Sequence, residues 1–86
     1  MIVNVGSILF AYTGDRPCVE ASGRTVGAVL DDLEGRYPGL RFRVIDEQDR
    51  IRPHIRIYVG STPVSTLGAK VGAHDELHIL AALSGG

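Results

Sequence analysis

The chain has no tryptophan, one methionine and one cysteine in 86 residues. The single thiol, Cys18, excludes an internal disulfide, an iron–sulfur cluster held by the chain's own thiolates and a multi-thiolate zinc site. A reduced cytosol is its simplest home, so a cytoplasmic location is expected. Charge of one sign is also lacking. Nine Lys+Arg stand against ten Asp+Glu, for a formal net charge of -1. That balance argues against nucleic-acid and anionic-membrane partners, which need concentrated positive charge. Apolar runs such as Ile79–Leu83 are far too short to span a bilayer. The N-terminus lacks a charged region and a cleavage site, so no targeting segment is expected. No internal repeat, low-complexity stretch or mid-chain linker appears. What remains is 44% hydrophobic and 22% charged, suited to one small soluble domain of modest core and marginal stability. So short a chain is not expected to enclose a deep, water-excluding active site of its own.

Hydrophobic periodicity sets the order of elements. Val3 and Val5 alternate with Asn4 and Gly6, and Ile8, Leu9 and Phe10 extend the pattern, so a first strand is predicted within residues 2–12, with a slip at Gly6-Ser7. Thr13 to Pro17 is turn chemistry, and Cys18 to Ala21 reads as the returning strand of a hairpin. Val26, Val29, Leu30, Leu33 and Tyr37 make one apolar stripe, with Thr25 as N-cap and Pro38-Gly39 as the stop, which predicts the main helix. Residues 40–53 fit either a short helix or an irregular packed segment, with Asp46 to Arg50 a polar loop. Ile55, Ile57 and Val59 start a second hairpin that turns at Gly60 to Pro63. Asp75 to Leu80 is the last strand. Strands to one side of a single amphipathic helix make a two-layer α+β domain, and this order fits the β-grasp fold. A mixed sheet of about five strands is expected on one main helix, with the first and last strands parallel and central. The folded domain would occupy residues 1–80, and residues 81–86 a flexible tail.

Few groupings of chemical groups stand out. His74 and His78 are four apart, but a His-Glu-x-x-His zinc motif needs a helix and a glutamate where Asp75 stands. On a strand that spacing separates the two by roughly 13 Å, too far for one zinc ion. No metal site is expected. Cys18 reads as a buried or half-buried strand residue, for want of a nearby histidine to activate it. His54 reads as a solvated residue. Arg41, Arg43, Arg50, Arg52 and Arg56 form a loose basic run interleaved with Asp46, Glu47 and Asp49, read as mixed solvated surface. No nucleophile–base pair, paired-carboxylate site or phosphate-binding glycine loop is visible.

The chain ends in Gly85-Gly86. Two glycines close a chain by chance about once in 200 cases at average usage. Besides the bland reading of a frayed end, a working reading exists. Without Cβ atoms such an end threads a narrow channel, and its terminal carbonyl is open to attack from both sides. An ATP-using partner could convert that carboxylate to an acyl-adenylate. Sulfur could then displace AMP and leave a thiocarboxylate, ionised and soft at neutral pH.

Three stretches carry a resemblance. Thr25-Val26-Gly27-Ala28-Val29-Leu30-Asp31-Asp32-Leu33 with Tyr37-Pro38-Gly39-Leu40 resembles the helix of the ThiS/MoaD-type ubiquitin-like sulfur carriers. Ile57-Tyr58-Val59-Gly60 resembles their third strand and turn. Asp75-Glu76-Leu77-His78-Ile79-Leu80 with Gly85-Gly86 resembles their last strand and reactive end. The resemblance implies a β-grasp protein co-substrate without catalysis or bound cofactor of its own. An E1-like adenylyltransferase/sulfurtransferase would use ATP and magnesium to adenylate Gly86 and thiolate it. Gly85 would give clearance, while Ala81, Ala82, Leu83 and Ser84 would thread the partner's active site. Apolar residues beside the last strand would dock the partners, and a sulfur-accepting biosynthetic enzyme would receive the cargo. The segment Arg41–His54 exceeds what thiamin-type carriers contain. The chain therefore looks nearer to molybdopterin-synthase small subunits, and nearer still to actinobacterial carriers for cysteine or sulfur-containing metabolite biosynthesis. Many relatives carry proline shortly after the last strand, where this chain has Ala81. A molybdopterin-synthase small subunit and a lysine-linked protein modifier or interaction module stay open as alternatives.

Overall fold

Valines on one face of residues 2–5 begin the sheet, and the computed structural model, which describes residues 1–82, shows how the rest assembles around them. Strand β1 (Ile2–Val5) pairs antiparallel with β2 (Cys18–Glu20) and parallel with β5 (Leu77–Ala81). Strand β3 (Ile55–Val59) lies antiparallel between β5 and β4 (Thr62–Val64), giving the order β2-β1-β5-β3-β4. Helix α2 (Val26–Arg36) crosses one face. This mixed five-stranded sheet, with its first and last strands parallel and central, is the expected β-grasp arrangement.

Each inward side chain follows from local pattern. Val26, Val29, Leu30 and Leu33 are wholly buried, as the stripe requires, and Tyr37 is half-buried at the C-cap. Thr25 is extended, and its hydroxyl accepts from the Ala28 N–H at 3.1 Å, capping α2. Val3, Val5, Val19, Ile55, Ile57, Leu77 and Ile79 line the same core from the sheet.

The strand predicted within residues 2–12 ends at Val5. Gly6 donates to the Ile79 carbonyl at 2.8 Å, and its own carbonyl accepts from Leu9 at 3.0 Å, so the chain curls into a 3-10 turn (Ser7–Leu9) and helix α1 (Phe10–Thr13). Buried Leu9 and Thr13 are four apart and share a helical face. Thr13 tolerates burial because its hydroxyl donates to the Arg16 carbonyl at 3.0 Å. Gly14, left-handed at φ 65°, ends α1.

The open reading of residues 40–53 resolves into helix α3 (Leu40–Val44), which buries Leu40 and Val44 and is followed by a turn closed by an Ile45–Ile51 bridge. The Glu34 carboxylate fixes the approach of α3 by accepting from the Gly39 N–H at 2.8 Å and the Arg41 N–H at 3.0 Å. Those donors hold its pKa below the ordinary glutamate value. Strand β5 begins at Leu77 instead of Asp75, because the Asp75 carboxylate is occupied in accepting from the Gly72 N–H at 2.6 Å, making a turn.

Candidate functional site

The last strand is the natural place to build the site, because it leads toward Gly85-Gly86. Alternation sends Leu77 and Ile79 into the core and leaves His78 half-buried and Leu80 exposed on the other face. Neighbours on both sides hold β5. Ile79 registers with Val5 of β1, and Leu80 and Ala81 register with Arg56 and Ile55 of β3. One step further, the Ala82 N–H donates to the His54 carbonyl at 2.7 Å. Ala81 therefore belongs to the strand, and Ala82 is still tied to the sheet. Four residues assigned to the tail, Leu83, Ser84, Gly85 and Gly86, lie outside the described residues.

Between β1 and β3, β5 delivers the terminus from the centre of the sheet. His54 is exposed and β3 starts beside it, so its carbonyl is what pins the root of the tail. No side-chain pattern signals this role, since any residue at position 54 has a carbonyl. Gly6 abuts the root from the other side. A Cβ there would sit 3.5 Å from Leu80 Cα and 3.6 Å from its Cδ2, which is ordinary contact.

The uncovered face of the sheet carries Cys18, Asn4, His78, Tyr58 and Pro63 in one cross-strand row. Asn4 of β1 ties β2 to the residue just before β5 there. Its amide donates to Glu76 Oε1 at 2.9 Å, and its carbonyl oxygen accepts from Cys18 Sγ at 3.1 Å. Cys18 is exposed, contrary to the buried or half-buried setting expected for it. Strand β2 is only three residues long at the sheet edge, and with Val19 turned inward both its neighbours must turn out. Leu80 and Ile2, 39% and 38% exposed, are the large apolar residues that this face offers beside the last strand.

The remaining candidates are dispersed. His74 lies in the turn before β5 and His78 on the strand, so they share no helix. Among the described residues no group of three or more His, Cys, Asp or Glu side chains could hold a metal ion. Nor is any helix among them long and apolar enough to cross a membrane.

Comparison with known proteins agrees with this architecture. The ThiS family model matches residues 7–86. The sulfur carrier protein CysO of Mycobacterium tuberculosis is 36% identical over 89 residues, covering 98% of this chain and 96% of the relative. The small archaeal modifier protein 1 of Haloferax volcanii is 36% identical over 62 residues, covering 72% of this chain and 70% of the relative. A chain in the crystal structure of the Amycolatopsis orientalis BexX/CysO complex superposes with a TM-score of 0.90 at 36% identity, covering 99% of this chain and 98% of that one. The family model covers all but the first six residues, a sulfur carrier relative matches nearly the whole length, and the chain belongs to the ThiS family.

Proposed function

We propose that this protein carries sulfur as a thiocarboxylate on Gly86, loaded by an E1-like enzyme and spent by a biosynthetic partner in a reduced cytoplasm. One observation supports the reading above all. Just past the end of the central strand, Ala82 is hydrogen-bonded at 2.7 Å to the His54 carbonyl, so the final four residues start from a fixed point on the sheet. Fully extended, four residues reach at most about 14 Å, enough to put the terminal carboxylate inside another protein while the domain stays outside.

The chemistry belongs to the partner, and this chain supplies an acyl group. A carboxylate oxygen of Gly86 attacks the α-phosphorus of ATP, and pyrophosphate leaves. A sulfur nucleophile then adds to the acyl carbon, and AMP leaves with the C–O electron pair. Gly85 keeps both faces of that carbon clear, and Leu83 and Ser84 thread the approach. Similarity to CysO supports the sulfur cargo, and the BexX/CysO complex supports delivery by docking on a partner. The receiving enzyme on this reading makes cysteine or another sulfur-containing metabolite.

The test is to incubate the protein with an E1-like activating enzyme, ATP, magnesium and a sulfide source, then to weigh it intact. Replacement of one oxygen by one sulfur is expected, and a chain lacking Gly86 should stay folded and unchanged in mass. No mass change in the full chain would overturn the proposal. A second reading rests on the likeness to the small archaeal modifier protein 1: joining of Gly86 to lysine amines of other proteins. Lysine-linked adducts in lysate, abolished by deleting Gly86, would favour it.

A further inference from the structure

The basic run of the sequence divides in space. Arg41 pairs with Asp31 at 2.8 Å and with Asp49 at 3.2 Å, and Arg50 pairs with Asp46 at 3.2 Å. Arg43, Arg52 and Arg56 have no carboxylate at ion-pair distance among the described residues. These three gather around the root of the tail. Arg43 and Arg52 line a shallow groove of about 250 Å3 with Tyr12, Phe42 and His54. His54 is the residue whose carbonyl holds Ala82, and Arg56 registers opposite Leu80 across the β3–β5 ladder.

The groove is also built. Phe42 is 58% exposed, well above Ile2 and Leu80. The Arg52 guanidinium lies 4.7 Å from its ring centroid, and Arg52 Nε donates to the Phe42 carbonyl at 2.8 Å. The arginine is thus fixed on an aromatic platform before any partner arrives, which lowers the ordering cost of binding. Aromatic and arginine side chains of this kind are the usual anchors of protein interfaces.

We infer that Phe42, Arg43, Arg52 and Arg56 form a docking collar for an acidic rim around the mouth of the channel that takes the tail. The inference rests on the carrier reading above. A channel that accepts the last four residues to their full reach of about 14 Å has its rim at Ala82, and a rim there meets this groove. Three arginines without an ion-pair partner among the described residues, gathered at the exit in a protein of net charge -1, call for carboxylates from outside.

The experiment measures thiocarboxylation by the activating enzyme as a function of carrier concentration and salt. Arg43→Glu/Arg52→Glu is expected to raise KM about tenfold with kcat retained, because rim charges act mainly on encounter. Arg43→Lys/Arg52→Lys should recover most of the loss. Arg16→Glu/Lys70→Glu makes the same change in net charge elsewhere on the surface and should stay near wild type. Rising salt should raise KM for wild type and lower it for the Glu variant, whose new carboxylates repel the rim until they are screened. Equal KM for wild type and Arg43→Glu/Arg52→Glu, with wild type loading normally, would overturn the collar and leave the carrier reading standing. Failure of wild type to load would overturn both. Self-association of wild type that disappears in the Glu variant would assign the patch to a second copy and overturn the acidic-rim proposal.

Discussion

Two glycine-to-alanine substitutions in and beside one helix should shift stability in opposite directions, for reasons the packing makes explicit. A Cβ built on Gly23 would lie 2.6 Å from the backbone nitrogen of Val29, 2.9 Å from the Ala28 carbonyl carbon and 2.9 Å from Val29 Cγ2. Two of those atoms are backbone, so no side chain can swing away. Helix α2 cannot retreat either: Val26, Val29, Leu30 and Leu33 are wholly buried, and its first N–H groups bond to the Ala69 and Leu67 carbonyls at 2.9 and 2.8 Å. The loop must move instead. It is tied by the Ser22 N–H to Asp32 Oδ2 at 2.9 Å and by the Arg24 carbonyl to the Val71 N–H at 2.9 Å. Overpacking costs about 1–3 kcal/mol, and losing one tie adds about 1 kcal/mol. The stiffer unfolded chain returns roughly 0.4–1 kcal/mol. Gly23→Ala should therefore lose about 2–3 kcal/mol, or roughly 10–20 °C in Tm for a domain of this size. Gly35, inside α2, has nothing within 4 Å of its built Cβ. Gly35→Ala should gain up to about 1 kcal/mol, or roughly 4–8 °C. Thermal melts by circular dichroism, checked by urea titration, measure both. A Gly23→Ala protein that melts at or above wild type would refute the packing argument at the start of α2, and a Gly35→Ala protein that melts below wild type would refute the claim that its site is free.

The root of the tail, the acid limb of stability and the exposed thiol give further tests. Ala82→Pro removes the N–H that reaches the His54 carbonyl, while Ala81 before it is already extended in β5, so the fold should persist with a loss of about 0.5–1.5 kcal/mol in denaturant titration; an unchanged midpoint would mean that this bond holds nothing. The Glu34 pKa is lowered chiefly by the Gly39 and Arg41 N–H groups, that of Asp32 by the Ser22 N–H and that of Asp46 by the Arg50 N–H. A carboxylate with a lowered folded pKa contributes stability above its unfolded value and loses it as pH falls through the folded one. Tm should thus decline as pH drops below 4.5 for Glu34 and then 3.8 for the aspartates, and Glu34→Gln should flatten the first part of that decline. Cys18 should react with a thiol-specific reagent in the native protein as fast as in denaturant, and Cys18→Ser should accept sulfur at the wild-type rate; slow native labelling would contradict its exposure.

What could be read from the sequence, and what could not, divides along physical lines. Helix α2 was legible because periodicity, cap and terminator agreed on the same residues, and β3 because Ile55, Ile57 and Val59 alternate with polar or amphipathic partners. Residues 8–13 were not. Ile8-Leu9-Phe10 is an unbroken apolar run that satisfies strand and helix alike. The deciding partner, Thr13, is polar, and its burial depends on a hydrogen bond to Arg16 that appears only once the turn has formed. Cys18 misled for a related reason. Composition says that cysteine is usually buried, but a three-residue edge strand has two sides, and only the tertiary structure chooses which one α2 covers.

The site divides in the same way. Gly85-Gly86 stands out in the sequence because glycine differs from every other residue in what it omits. The groups that aim this end do not stand out, since the work at position 54 is done by a backbone carbonyl. The arginines sit between these extremes. Alternating with acids along the chain, they look like ordinary solvated surface. Folding matches Arg41 and Arg50 to Asp31, Asp49 and Asp46, and strips that cover from Arg43, Arg52 and Arg56. A run that is balanced in sequence thereby leaves three arginines without a carboxylate partner among the described residues where the tail leaves the sheet. Any partner that takes the tail must therefore meet those three arginines at the root, whatever it does to the terminal carboxylate.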